Sequence, residues 1–314
     1  MKPYAFGIDI GGTTVKIGLF STDGTFIESW EIPTRKEGEG AMILPDIARA
    51  VMKKLKEKGY AADDVEGVGV GVPGPVFEDG VVNGCVNLGW GVLDVRGQLS
   101  SLLGGMRVEV ANDANVAALG EQWRGGGKGF KNVIMVTLGT GVGGGVIVEG
   151  KIVAGAHGAA GEIGHMTVNH HETIPCNCGR KGCLEQYASA TGIVRKAKEL
   201  LAASGKASCL RSVEDLTSKD VFDGAKIGDE ICLQIVDFVG YTLGTALTYI
   251  TSVTDPDVVV IGGGVSKAGQ ILLDAVDHHY REEAFKPAKN TAFKLAVLGN
   301  DAGMVGAVRM VISN

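Results

Sequence analysis

Apolar runs and short glycine or turn clusters alternate along the first thirty-odd residues. "YAFGIDI" (4–10) is apolar apart from Asp9. "GGTT" follows it, "VKIGLF" (15–20) is a second run, and "STDG" leads into "TFIESWEI" (25–32). Short apolar runs bounded by turn residues predict strands, here an antiparallel meander. The period then changes. In "AMILPDIARAVMKKLKEKG", Ile43, Ile47, Val51 and Leu55 recur every fourth position with lysines turned outward, which predicts an amphipathic helix stopped at Gly59. "VEGVGVGVPGP" reads as a buried strand entering a Gly/Pro loop. "VEVANDANVAALGEQW" reads as a strand that becomes a helix at Asn112–Asp113.

The same rhythm returns near residue 131. "NVIMVTL", "GTGVGG", "GVIVEG" and "KIVAG" read as strand, glycine turn, strand, strand, and "IDIGGTTVKIGL" lies over "VTLGTGVGGGVI" as a weak internal repeat. Two related α/β halves are therefore expected. "DEICLQIVDFVGYTLGTALTYITSV" predicts a long helix in which Gly240 and Gly244, one turn apart, allow close packing on a neighbour. "DPDVVVIGGGVS" predicts a buried strand ending in glycines. "AGQILLDAVDHHYRE" and the final "AGMVGAVRMVI" are helical.

Composition narrows the class. The 314 residues are 45% hydrophobic and 21% charged, ordinary for a globular chain, but 49 are glycine, about twice the usual ~7%. Clustered glycine marks tight turns or close backbone approach to a ligand. A net charge of −6 without a basic stripe argues against nucleic acid as a partner. No signal-peptide pattern opens the chain, and no apolar run approaches the ~20 residues that span a bilayer. Cys85, Cys209 and Cys232 are scattered and make no disulfide framework, so a cytoplasmic protein without membrane partners is expected.

Three glycine clusters end strands: Gly11–Gly12, Gly139–Gly145 and Gly262–Gly264. Successive N–H groups in such turns make anion-binding concavities. Gly139, Gly141 and Gly144 spell G-x-G-x-x-G, but a strand-like "VIVEGKIV" follows where a dinucleotide site needs a helix, so that reading fails. "RGGGKGF" lacks the hydroxyl residue of a P-loop. Asp9 stands alone in an apolar strand one step before a glycine turn. A buried unpaired carboxylate is costly; beside phosphates it could hold Mg2+. Asp113, at a helix start, is either an N-cap or a general base. Phosphoryl transfer needs Mg2+, backbone donors and one carboxylate to take the hydroxyl proton, and Asp113 is the best candidate for that last part. Glu162 and His165, three apart, share a face in a helical turn, and with Glu185 they suit hydrogen bonding to a polyol.

Half the cysteines fall in one loop. Cys176, Cys178 and Cys183, with His165, His170 or His171 as fourth ligand, offer three thiolates and one imidazole, a donor set that closes a structural zinc site. An iron–sulfur cluster would want a fourth cysteine.

The stretches "GIDIGGTTVKIGL", "GVGVPGPV", "NDANVAALGE", "LGTGVGGGVI", "GAAGEIGHM", "CNCGRKGCLEQYAS" and "DVVVIGGGVS", in this order along nearly the whole chain, resemble the ROK group of sugar kinases, and within it the bacterial glucokinases. The resemblance implies an α/β, actin-like (ribonuclease H-like) fold of two related domains with ATP in the cleft between them. The smaller domain covers 1–118 and is completed by a C-terminal helix, 302–314; the larger covers 119–301 and carries a zinc loop, 161–186. It implies ATP-dependent phosphorylation of glucose to glucose 6-phosphate, a step of carbohydrate metabolism. Asp113 is the implied catalytic base, and Gly74, Asn87, Asn112, Asp113, Glu162, His165 and Glu185 the sugar-binding set. Asp9, Gly11, Gly12, Thr13, Thr14, Lys16, Thr140, Gly141, Gly263 and Gly264 map onto the family's ATP and Mg2+ positions. His165, Cys176, Cys178 and Cys183 map onto its zinc ligands, with His165 touching sugar through one ring nitrogen and zinc through the other. Homo-oligomers are usual in the group. "VNLGWGVLDV" around Asn87 favours glucose over N-acetylmannosamine, N-acetylglucosamine, fructose or allose. A sugar sensor without catalysis would not need the intact Asp9, Asp113 and glycine loops, and an actin-type ATPase switch would not need the cysteine loop. Repressor members of the group carry a helix-turn-helix ahead of the first strand, and this chain begins on that strand.

Overall fold

The computed structural model describes residues 1–312. Strands β1 (Tyr4–Ile10), β2 (Thr14–Ser21) and β3 (Phe26–Pro33) form the expected meander, and α1 (Ile43–Lys58) follows. Ile43, Ile47, Val51 and Leu55 of α1 are all buried. Gly59 ends the helix with φ 71°, a left-handed cap that glycine adopts without a side-chain clash. Next come β4 (Val65–Val72), β5 (Val81–Cys85), β6 (Trp90–Asp94), α2 (Val95–Leu102), β7 (Val108–Asn112) and α3 (Asp113–Arg124). The second cycle holds β8 (Val133–Leu138), β9 (Val142–Val148), β10 (Lys151–Ile152), the short α4 (Glu185–Ala188), α5 (Ala190–Ala203), α6 (Ser218–Lys226) and α7 (Glu230–Thr254). It continues with β11 (Val258–Gly262), α8 (Gln270–Glu283), β12 (Ala292–Leu295) and α9 (Ala302–Ile312). The last two positions of the expected helix 302–314 lie outside the described residues.

Two five-stranded sheets run β3-β2-β1-β4-β7 and β10-β9-β8-β11-β12. In the first, β1 is antiparallel to β2 and parallel to β4, which is parallel to β7. In the second, β11 is parallel to both β8 and β12, and β10 is antiparallel to β9. Both sheets therefore have the order 3-2-1-4-5, as the shifted hairpin match predicts, and this is the α/β, actin-like arrangement.

By internal packing the described chain forms two compact units. The first contains residues 1–129, 145–161 and the described residues from 300 on; the second contains 130–144 and 162–299. In the first, α9 lies on β1, β4 and α3, and glycines let the backbones meet. A Cβ at Gly69 would stand 1.8 Å from Ala307 O, and one at Gly306 1.8 Å from Val116 O. β1 and β4 are consequently buried on both faces and read as nearly continuous apolar runs. In the second unit, a Cβ at Gly240 or Gly244 would press on the backbone of α8 at 2.7 Å and 2.9 Å, the close packing that their spacing predicts. α7 is, among the described residues, the one helix long and apolar enough to cross a membrane, and most of its apolar window is buried inside the protein.

Candidate functional site

In the first unit, Asp9 is the penultimate residue of β1, and the turn at Gly11–Gly12 follows the strand. Gly11 N donates to Thr14 O (3.0 Å), and Thr34 braces the turn by donating its hydroxyl to Gly11 O (2.7 Å) and its N–H to Thr13 O (2.9 Å). Thr13 and Thr14 are exposed. Asp9 is mostly buried. Burial, then the charge of Asp113, push its carboxyl from 3.8 up to about 6, with Lys16 opposing. The Asp9 carboxylate also abuts α9, where a Cβ at Gly303 would sit 2.6 Å from Oδ2. Lys16, paired with Asp9 in the β1–β2 register, sends its ammonium to Asp301 Oδ1 (3.0 Å) and Asn300 O (3.1 Å).

The N-cap of α3 is Asn112. Its Oδ1 accepts from Ala114 N (3.0 Å) and Asn115 N (3.2 Å), while its Nδ2 donates to Gly74 O (3.0 Å). Asp113 is the first helical residue, and its Oδ1 accepts from Ala114 N at 2.8 Å. The N-cap and the candidate base are thus different residues. Gly74 has φ 96°, a value that excludes ordinary side chains. Asn87 stands exposed on a 3-10 turn two residues after Cys85, whose thiol is pushed up first by burial and also by the charge of Asp113.

In the second unit, Ile163–His165 make one 3-10 turn, so Glu162 and His165 meet with Oε2 and Nε2 4.0 Å apart. His165 Nδ1 points the other way, 4.0 Å from Cys176 Sγ, and Cys178 Sγ and Cys183 Sγ are 3.7 Å apart. The four donor atoms lie within 4.8 Å of one another. Sulfurs held ~2.3 Å from a tetrahedral zinc are about 3.8 Å apart, so this donor set fits that ion. Burial and the neighbouring thiols push Cys183 up to about 12. Buried sulfurs of this kind ionise only beside a cation. His170 and His171 are exposed and stay outside the cluster.

Glu185 opens α4 and links the cluster to the β8–β9 turn. Its Oε1 is 3.6 Å from Cys176 Sγ, and its Oε2 accepts from Val142 N at 3.0 Å. A Cβ at Gly141 would fall 1.9 Å from that Oε2, so the carboxylate occupies the space a side chain would need. Thr140 O accepts from Thr191 Oγ1 (2.9 Å) and Gly139 O from Ala190 N (2.8 Å), which fixes the turn to the start of α5. Gly263, with φ 83°, presses against Leu138, the last residue of β8. Gly264 is exposed and open on its side-chain face. A pocket of about 290 Å³ lies here, lined by Thr140, Gly141, Cys176, Glu185, Thr191 and Arg195 among others.

The ROK family model matches residues 5–314. The chain belongs to the ROK family. A curated glucokinase of Halalkalibacterium halodurans is 43% identical over 96% of this chain and 92% of its own. One from Thermotoga maritima is 33% identical over 97% and 96%. Among solved structures, a ROK family glucokinase from Streptomyces griseus in complex with glucose and AMPPNP superposes with a TM-score of 0.75, at 33% identity over 98% of both chains.

Four residues in and around the cysteine loop had no part in the expected site. Glu172, Tyr187, Asn169 and Arg195 make one network: Tyr187 donates its hydroxyl to Glu172 Oε2 (2.7 Å), Asn169 Nδ2 donates to Tyr187 Oη (3.0 Å), and Arg195 Nη1 lies 3.0 Å from Glu172 Oε2. Accepted hydrogen bonds from Ile174 N–H and Tyr187, with Arg195, draw Glu172 down to about 2. This network fastens the 169–174 segment of the cysteine loop to α4 and α5. Its sequence signal was the tyrosine inside "CLEQYAS", which carries a hydroxyl at an otherwise buried position.

Proposed function

We propose that this ROK protein is an ATP-dependent glucose kinase producing glucose 6-phosphate and ADP. The observation that carries the reading is the orientation of His165: Nδ1 faces three cysteine sulfurs while Nε2 faces Glu162. A neutral ring clamped by a metal through Nδ1 presents a fixed Nε2–H donor on the other side, which suits a sugar hydroxyl oxygen. The glucose bound by the Streptomyces griseus relative and the names of the two curated relatives support glucose as the hexose.

Asp113 accepts the proton of the 6-hydroxyl as that oxygen bonds to the γ-phosphorus and the bond to the ADP oxygen breaks. Glu162, His165, Glu185, Asn112, Asn87 and the Gly74 backbone bind and orient the hydroxyls. Gly11, Gly12, Thr13, Thr14, Thr140, Gly141, Gly263 and Gly264 supply the phosphate-binding turns. Mg2+, when bound, neutralises phosphate charge. The rise of Asp9 toward 6 with Asp113 near it supports a cation there, because two carboxylates sharing a site without one disfavour joint ionisation. Lys16 contributes by tying β2 to the segment before α9. Zn2+ held by His165, Cys176, Cys178 and Cys183 gives the loop its shape.

The test is ADP release from Mg-ATP with a panel of hexoses and a control without sugar. Stimulation by glucose is expected. Stimulation by an N-acetylhexosamine or fructose alone would replace the substrate, and release independent of any sugar would overturn the kinase reading. Cys178→Ser should lower bound zinc, Tm and glucose affinity together; unchanged zinc content would refute the ligand set.

A further inference from the structure

α8 carries two adjacent histidines whose surroundings the kinase reading does not use. His279 is largely covered, and its Nε2 lies 2.8 Å from Oδ1 of Asp237 on the neighbouring α7. An ionised carboxylate only accepts, so Nε2 is the N–H side of the neutral ring and Nδ1 bears the lone pair. That lone pair faces another acceptor, Glu282 Oε2, at 3.8 Å, while Glu282 Oε1 is 3.6 Å from His278 Nε2. One donor atom from each of His278, His279 and Glu282 lies within 4.8 Å of the other two. In the neutral ring a lone pair and a carboxylate oxygen converge at His279 Nδ1, with His278 Nε2 beside the same carboxylate, an arrangement that a bound cation satisfies.

We propose that His278, His279 and Glu282 form a second metal site, for a divalent ion of the zinc type, with Asp237 as the carboxylate that orients His279. The chemistry selects the ion. Two neutral imidazoles and one carboxylate suit Zn2+ and its borderline neighbours, whereas Ca2+ and Mg2+ prefer all-oxygen shells. Ligand atoms ~2.0 Å from a tetrahedral zinc are about 3.3 Å apart. The exposed side chains of His278 and Glu282 close the difference from 3.6 Å and 3.8 Å by small rotations. Asp237, His279 and the ion make a carboxylate–imidazole–metal relay that fixes the ligating nitrogen. Three protein ligands leave one position open to water. The bound ion would staple the end of α8 and, through Asp237, tie it to α7.

The test equilibrates the full-length protein with Zn2+ alone, removes excess, and counts zinc per chain. Wild type is expected to hold one ion more than a His278→Gln/His279→Gln variant, and zinc should raise the Tm of wild type further than that of the variant. Cys178→Ser should retain this ion, which separates the site from the cysteine loop. Asp237→Asn should weaken zinc binding here about 10–100-fold at unchanged stoichiometry. Equal zinc content and equal Tm response in wild type and the double histidine variant would overturn the proposal. Unaltered affinity in Asp237→Asn would overturn the role given to Asp237.

Discussion

Asp9 titrates in a direction that trades stability for charge. Its carboxyl rises from 3.8 to about 6 on folding, chiefly by burial and then by the charge of Asp113. Between those two pH values the unfolded chain has released a proton that the folded chain still binds. Stability therefore falls as pH rises from about 4 to about 6 and stays lower above that range. The gap corresponds to about 3 kcal/mol. Asp9→Asn has nearly the same volume beside Gly303 and does not titrate. Without Mg2+ it should be more stable than wild type at pH 8 by up to about 3 kcal/mol and indistinguishable near pH 3.5. Urea unfolding at both pH values, with equal slopes in the two proteins, measures this. Mg2+ should recover part of the deficit in wild type and none in the variant. An Asn variant no more stable at pH 8, or equally stabilised at pH 3.5, would refute the reasoning.

Asp113→Ala should cut turnover by roughly 10²–10⁴, the range for a positioned general base, while glucose still binds; turnover equal to wild type in single-turnover assays would refute the assignment. Gly141→Ala places a methyl 1.9 Å from Glu185 Oε2, displaces the carboxylate from Val142 N–H and should weaken glucose binding about 10–100-fold. Calorimetry on a folded variant with unchanged glucose affinity would refute that. Glu172 is drawn down from 4.5 to about 2, so its contribution is present above pH 4.5 and lost as pH falls through 2. Glu172→Gln should lower Tm at pH 7, and a Tm profile in which the difference from wild type persists at pH 2 would contradict it.

What the sequence showed of the fold came from period. β1 and α9 were bounded by their apolar runs alone, and α1 by its four-residue repeat and Gly59. The stretch 76–107 has neither period nor long runs, so β5, β6 and α2 had no signal. At the start of α3 the letters "ND" could not say which residue caps. The structure gives the cap to Asn112, whose short amide satisfies two N–H groups and leaves Asp113 inside the first turn. Among three histidines, spacing left the partner of the cysteines open; the 3-10 turn at Ile163–His165 puts His165 into the cluster. Gly141 read as a phosphate-loop glycine, yet what fills its side-chain space is Glu185, forty-odd positions away and invisible to any local pattern.

The seat of α9 sets an order of events during synthesis. β1, β4 and α3 emerge early, but the glycine faces at Gly7, Gly69 and Gly120 receive the α9 backbone only once residues beyond 301 have left the ribosome. By then residues 130–144 and 162–299 have everything their own unit contains. The second unit can thus condense while the first waits with an uncovered sheet, and Asp9 gains its α9 neighbour among the last native contacts to form. A chain truncated before residue 302 would leave β1 and β4 open to chaperones, whereas one that includes α9 would cover them.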